Sequence, residues 1–349
     1  MDGTAHKPSI TKDIKRSKFR LTTMNILITG AGGFIGQIFA KELLSSPEYT
    51  VTLTDIFEPP IPSGSKYPEN ARTVAADLST SSSAIISKDL DAVILFHGIM
   101  SSGAEADFEL GYKINVNATQ TILEILRQTV PGVKVIYASS EAVYGNPLPK
   151  RITERHLPTP ESSYGSQKLI CELLINDYTR RGYIDGLSLR FPTISVRPGK
   201  PTQAASSFIS GIIREPLNGV ECVIPLTDRN WSHWMCSPKT LVYNLMVALS
   251  LSGDALPSHL RSINMPGFRV TVQDMLDALE EVGGKDKLEL VREEDDEAVK
   301  KILYSWADDF DNSLAIKLGM KQDMSFVNSV RDYAEELEAQ KLSGNTIKI

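Results

Sequence analysis

Gly30, Gly33 and Gly36 close a short aliphatic run, Ile26 to Thr29. They open a stretch with apolar residues at helical spacing: Phe34, Ile35, Ile38, Phe39, Leu43 and Leu44. This order predicts strand, tight turn and helix. Gly30 permits the turn, Gly33 lets a pyrophosphate approach the backbone, and Gly36 lets the helix pack close on the strand. The free N–H groups and positive dipole end around Phe34 and Ile35 then face the phosphates. The next apolar run, Val51-Thr-Leu-Thr-Asp55, ends in an acid. An acid there accepts from both ribose hydroxyls of NAD and repels the 2′-phosphate of NADP. The stretch therefore predicts a dinucleotide site, with NAD as the cofactor.

Further strands are predicted at Arg72 to Ala76, Ala92 to Phe96, Val133 to Ala138 and Leu187 to Phe191. A short helix is expected over Ser79 to Leu90. Long helices are expected over Glu105 to Thr129, with Leu110, Ile114, Ile122, Ile125 and Leu126 inward, and over Glu161 to Arg181. Strands alternating with helices imply an α/β fold, a doubly wound parallel sheet of the Rossmann type. Beyond Arg197 prolines break the rhythm. Helices are expected at Ser207 to Arg214, Ser237 to Leu251, Thr271 to Val282 (with Thr271 as N-cap), Phe310 to Gly319 and Ser325 to Glu338. The acidic run Glu293 to Glu297 reads as a solvated helix start. Residues 24–195 are thus read as the NAD-binding domain. Residues 196–349 are read as a smaller C-terminal lobe capping the substrate, with a late strand near 262–265 returning to the sheet.

The 349 residues carry a net charge of −6 with 42% hydrophobic side chains. No basic face suits nucleic acid, and no apolar run suits a membrane span. Cys171, Cys222 and Cys236 form no C-x-x-C pair, which suits free thiols in a reducing, cytoplasmic setting. Residues 1–23 form a basic tail, read as disordered, with a targeting address as the alternative. The histidines show no metal-ligand spacing.

Tyr164 and Lys168 lie four apart on a predicted helix and so share a face. Ser140 ends the fifth strand, and ligands of an open parallel sheet bind at the carboxyl ends of strands. A lysine ammonium and the positive nicotinamide both favour the phenolate of Tyr164, which can then take a proton from an alcohol. Ser140 would hold the substrate oxygen, and Lys168 the nicotinamide ribose.

With Thr29 to Gly36, Asp55, Asp77-Leu78, Asn115 to Thr119, Ser139 to Gly145 and Tyr164 to Lys168 in this order, the chain resembles the extended short-chain dehydrogenase/reductase family, the NAD-dependent epimerases and dehydratases. The resemblance implies Ser140, Tyr164, Lys168 and Asn115 as the catalytic set. It implies Asp77 and Leu78 against the adenine, Pro192 beside the nicotinamide, and Gly98 among the cofactor-binding residues. Phe96-His97-Gly98 departs from the small residues usual in the family. His97 reads as a packed polar residue, with a place lining the cleft as the alternative. Ser101 to Phe108, Leu189 to Gly199 and Ala204 to Leu217 resemble a narrower branch that oxidises the 2-hydroxyl of a small sugar acid with NAD⁺.

A sugar acid needs a cation for its carboxylate. Arg197 and Arg214 are the candidates, with Ser101, Ser102, Ser140, Thr193 and Ser206 for hydroxyls. Trp231-Ser-His-Trp234 is expected in a loop, as a packed corner or a pocket wall. The expected activity is a NAD-dependent oxidoreductase acting on a small hydroxy acid. A nucleotide-sugar epimerase and a carbonyl reductase on the same scaffold remain open. Family resemblance further implies a homodimer through the two long helices.

Overall fold

The computed structural model describes residues 23–200 and 206–342; the basic tail read from the sequence lies outside them almost entirely. The central sheet contains β1 (Met24–Thr29), β2 (Tyr49–Asp55), β3 (Ala71–Ala75), β4 (Ala92–Leu95), β5 (Lys134–Ser140) and β6 (Asp185–Phe191). The later strands are β7 (Thr193–Ile194), β8 (Cys222–Ile224), β9 (Ser232–Cys236), β10 (Ser262–Asn264), β11 (Phe268–Thr271) and β12 (Val291–Glu293). The seven-stranded sheet runs β10-β6-β5-β4-β1-β2-β3, and every pair in it is parallel. Its central strands are apolar throughout because both faces are covered; all four residues of β4 are buried. The chain order reverses between β1 and β4, which opens a crevice at their carboxyl ends.

Helix α1 (Phe34–Leu43) covers one face together with α7 (Pro238–Ser250). The other face is covered by a helical tract and by α5 (Ser163–Arg180). That tract is made of α2 (Ser101–Ala106), α3 (Phe108–Gly111), a π-helical turn (Tyr112–Asn117) and α4 (Ala118–Thr129). A second core lies under α6 (Ser207–Leu217) and α8 (Val272–Gly283), with the helix Phe326–Leu342 packed on α8. It is edged by the sheets β11-β9-β7 and β12-β8. The chain returns from this lobe to the main sheet through α7 and β10.

Four local expectations are corrected. Ser79 to Leu90 holds only a single turn, Ser82–Ala84. Its hydroxyls bond locally instead, Ser79 to Asp77 and Ser82 to the Leu78 carbonyl, and so compete with a helix. The expected continuous helix 105–129 is broken at Asp107, whose carboxylate caps the Leu110 N–H and starts a new helix. The break and the π turn shift the face, so Leu110 is exposed rather than inward, while Ile122 and Leu126 are fully buried. Trp231 to Trp234 is not a loop: it runs into strand β9, with both tryptophans buried. The helix expected over Phe310 to Gly319 shortens to Ser313–Lys317. Thr271 does cap α8, in a reciprocal capping box with Asp274.

Candidate active site

The glycine turn leaves no room for side chains. Gly30 has φ +64°, and a Cβ there would stand 2.6 Å from the His97 nitrogen. A Cβ on Gly36 would stand 2.5 Å from the Gly30 carbonyl oxygen, which is how α1 packs so close to β1. Gly33 begins α1 without a side-chain cap, and Phe34 and Ile35 are its first, half-buried residues. The first N–H groups of α1 are therefore open to an anion. At the end of β2, Asp55 accepts from the Gly32 N–H at 3.0 Å and from the Ile56 N–H at 2.8 Å. Phe57 lies over the same turn, so close that a Cβ on Gly32 would meet its ring at 2.4 Å.

Asp77 follows β3 and accepts from the Ser79 N–H and hydroxyl at 2.9 and 2.6 Å, which holds its carboxyl below the usual value. Leu78 is buried beside it. Past β4, Gly98 has φ +158°, and a Cβ there would stand 3.0 Å from Asn115 Oδ1 and 3.7 Å from Lys168 Nζ. Pro192 is buried just past β6. Bare backbone, an uncapped helix start and an acid at the end of β2 fit a dinucleotide laid across these strand ends.

The candidate groups for proton transfer lie beyond the same strand ends. Ser140 ends β5; its Oγ accepts from the Ala142 N–H at 3.1 Å and meets the phenol of Tyr164. Tyr164 is buried in the first turn of α5, which Ser162 caps by accepting from the Gly165 N–H. Burial pushes its phenol up to about 12; the Ser140 hydrogen bond and the charge of Arg197 oppose this, and Glu141 adds to it. In the protein alone, burial outweighs the Ser140 hydrogen bond and the Arg197 charge.

Lys168, one turn on, donates to the Ala138 carbonyl at 2.7 Å and stands 5.4 Å from the centre of the Tyr164 ring. Burial pulls its ammonium down to about 8. Asn115 sits in the π turn. It accepts from the Ile99 N–H at 2.7 Å and donates to the Ile99 carbonyl at 3.0 Å and to Gln167 at 2.6 Å. It thus fixes the backbone beside Gly98. His97 is packed between Thr29 and Thr119, at 2.8 and 3.2 Å, and burial pulls it to about 3.

On the substrate side the two arginines separate. Arg214 is buried; it ion-pairs with Glu215 and donates to the Arg197 carbonyl. Its Nε, Nη1 and Nη2 each donate in these contacts. Arg197 is half-buried, and among the described residues no carboxylate pairs with it. Burial and the charge of Arg214 both lower its pKa, while Tyr164 opposes them. Ser101 and Ser102 are exposed at the start of α2, and Ser206 is half-buried just before α6. The Thr193 hydroxyl meets His233 at 2.8 Å and donates to Glu141 at 3.3 Å.

Glu141, Gln167 and Phe57 were not singled out by reading the sequence, and His233 was only as part of the Trp231 to Trp234 cluster. Only Glu141 carried a usable signal, its place directly after Ser140 at a strand end.

A model of the NAD dependent epimerase/dehydratase family matches residues 26–236. The D-erythronate dehydrogenase of Haemophilus influenzae is 42% identical over 319 residues, 89% of this chain and 99% of that protein. The D-erythronate dehydrogenase of Cupriavidus necator is 39% identical over 90% of this chain and 98% of its own length. Among solved structures, a nucleoside-diphosphate-sugar epimerase from Agrobacterium tumefaciens is similar with a TM-score of 0.83 at 34% identity; the match covers 93% of this chain and 96% of that one.

Proposed function

The chain belongs to the NAD dependent epimerase/dehydratase family, and we propose that it oxidises the 2-hydroxyl of a small sugar acid to a 2-keto acid, as a D-erythronate dehydrogenase does. The observation that carries this reading is Arg197, half-buried, unpaired among the described residues, and close enough for its charge to act on the Tyr164 phenol. A guanidinium there suits a carboxylate one carbon from the reacting hydroxyl. NAD⁺ bound across the glycine turn would supply the hydride acceptor and a positive charge next to the phenol.

The residues of the chain then divide the remaining work. Ser140 holds the substrate oxygen. Tyr164 takes its proton once the phenol is drawn down from about 12. Lys168, fixed by the Ala138 carbonyl, reaches the nicotinamide ribose and adds positive potential. Asn115 holds the Gly98 strand end in shape. Gly30, Gly33, Gly36 and the first turn of α1 take the pyrophosphate, Asp55 the ribose hydroxyls, and Asp77 and Leu78 the adenine.

Following NADH formation over a panel of four-carbon sugar acids, simple hydroxy acids and polyols, with NADP⁺ as control, tests the reading. Turnover of a sugar acid with NAD⁺ supports it. NADH formation from none of the panel would remove it in favour of an epimerase, which keeps its cofactor through the cycle. Exposed apolar side chains on the two long helical tracts, Phe108 and Leu173 at 60% and 61% exposure, support a homodimer as the working form. Three free, buried cysteines fit a cytoplasmic setting.

A further inference from the structure

Ser140, Tyr164, Lys168 and Arg197 leave one neighbouring carboxylate without a task. Glu141 follows Ser140 in the single turn Glu141–Val143 at the carboxyl end of β5. Its Oε1 accepts from the Thr193 hydroxyl at 3.3 Å, and His233 Nε2 lies 3.2 Å away. His233 is itself buried, stacked on Trp231 with ring centres 5.7 Å apart and set against Trp306 at 5.0 Å. The second oxygen, Oε2, is buried and has no hydrogen-bond partner among the described residues. A carboxylate oxygen removed from water without a donor is costly. A hydroxyl on a bound molecule would supply that donor.

The chemistry of the donor is restricted. A carboxylate repels the acid end of a substrate, and Arg197 stands ready for that end. Glu141 follows Ser140 directly at the end of β5, and the charges of Arg197 and Glu141 act on the Tyr164 phenol with opposite effect. A neutral hydroxyl, further along the substrate than the carbon being oxidised, suits Oε2.

We propose that Glu141, clamped by Thr193 and His233, accepts a hydroxyl of the substrate beyond the reacting carbon and so selects polyhydroxylated acids over simple 2-hydroxy acids. The acid then lies one way round only, carboxylate to Arg197 and hydroxylated end to Glu141. This rests on the reading of the enzyme as a NAD-dependent oxidant of hydroxy acids.

The test compares kcat/KM for 2,3,4-trihydroxybutanoate with that for 2-hydroxybutanoate, both with NAD⁺. The ratio of the two cancels losses common to both substrates. The parent favours the trihydroxy acid by about 10–100-fold, the worth of one charge-assisted hydrogen bond. Glu141→Met, of similar shape and without an acceptor, brings the ratio to within about threefold of unity. Glu141→Gln keeps the shape and a neutral acceptor, and brings the ratio to an intermediate value; it serves as the measurement where the methionine variant does not fold. A parental ratio in either variant overturns the proposal while leaving the hydroxy-acid reading intact. A parent that oxidises neither acid overturns that reading, and this inference with it.

Discussion

His97 is a base kept neutral by its surroundings. It is buried against Thr29 and Thr119, and burial takes it from 6.5 to about 3. The unfolded chain binds a proton at this residue in that window and the folded chain does not. The stability it contributes is therefore complete above pH 6.5 and is lost as the pH falls toward about 3, by up to about 1.4 kcal/mol per pH unit. His97→Asn flattens this part of the acid dependence of urea unfolding; an unchanged slope would assign the acid sensitivity elsewhere. Tyr164 differs in that its chemistry needs the charged form. Tyr164→Phe lowers kcat by about 10²–10⁴ while NAD⁺ binding, read by protein fluorescence, stays within about threefold; a variant as fast as the parent would end the proton-transfer role. Asp55 lies against the glycine turn, bonded to the Gly32 N–H. Asp55→Asn lowers the preference for NAD⁺ over NADP⁺ in kcat/KM by at least about tenfold, or about 1.4 kcal/mol, and a parental preference in the variant would clear Asp55 of cofactor choice.

At the scale of elements, the placement of α5 depends on Glu172, one turn beyond Lys168. Its carboxylate accepts from Arg190 at 2.9 and 2.6 Å, from the Ser139 hydroxyl at 2.5 Å and from Ser262 at 3.0 Å. One buried side chain thus ties the helix bearing Tyr164 to β5, β6 and β10. Glu172→Ala leaves Arg190 buried without its ion partner and costs about 3–5 kcal/mol in urea unfolding; the double variant Glu172→Met, Arg190→Met costs less, since no unpaired charge remains. The helix and its Tyr-x-x-x-Lys face were legible in the sequence, because helical spacing is local. The break at Asp107 was not. It depends on one carboxylate turning back to cap Leu110 and on the π turn that follows, and neither changes the apolar period enough to be read.

For the whole molecule, the exposed Phe108 and Leu173 carry the expectation of a dimer. Light scattering coupled to size-exclusion chromatography gives twice the chain mass for the parent, and Phe108→Asp with Leu173→Asp gives the monomer. A monomeric parent would dismiss the dimer. The two cores, one around the main sheet and one under α6 and α8, are joined by the chain passing back through α7 and β10. The strands β7 and β9 lie on the lobe side of that join, and they bring Thr193 and His233 to Glu141.

The amino-acid sequence determined the parallel sheet, the dinucleotide turn, the acid that follows it and the Ser140, Tyr164 and Lys168 set. All of these rest on short-range rules: glycine where a side chain cannot fit, apolar residues at a fixed period, a tyrosine and a lysine one helical turn apart. The tertiary structure alone decided which arginine a carboxylate takes up. Arg197 and Arg214 look alike in the chain, yet one meets Glu215 and the other meets no carboxylate among the described residues. It also decided that Glu141 and His233, 92 positions apart, share a buried contact. The reason is physical: burial and charge pairing depend on what the fold brings from a distance, and no local spacing carries that information.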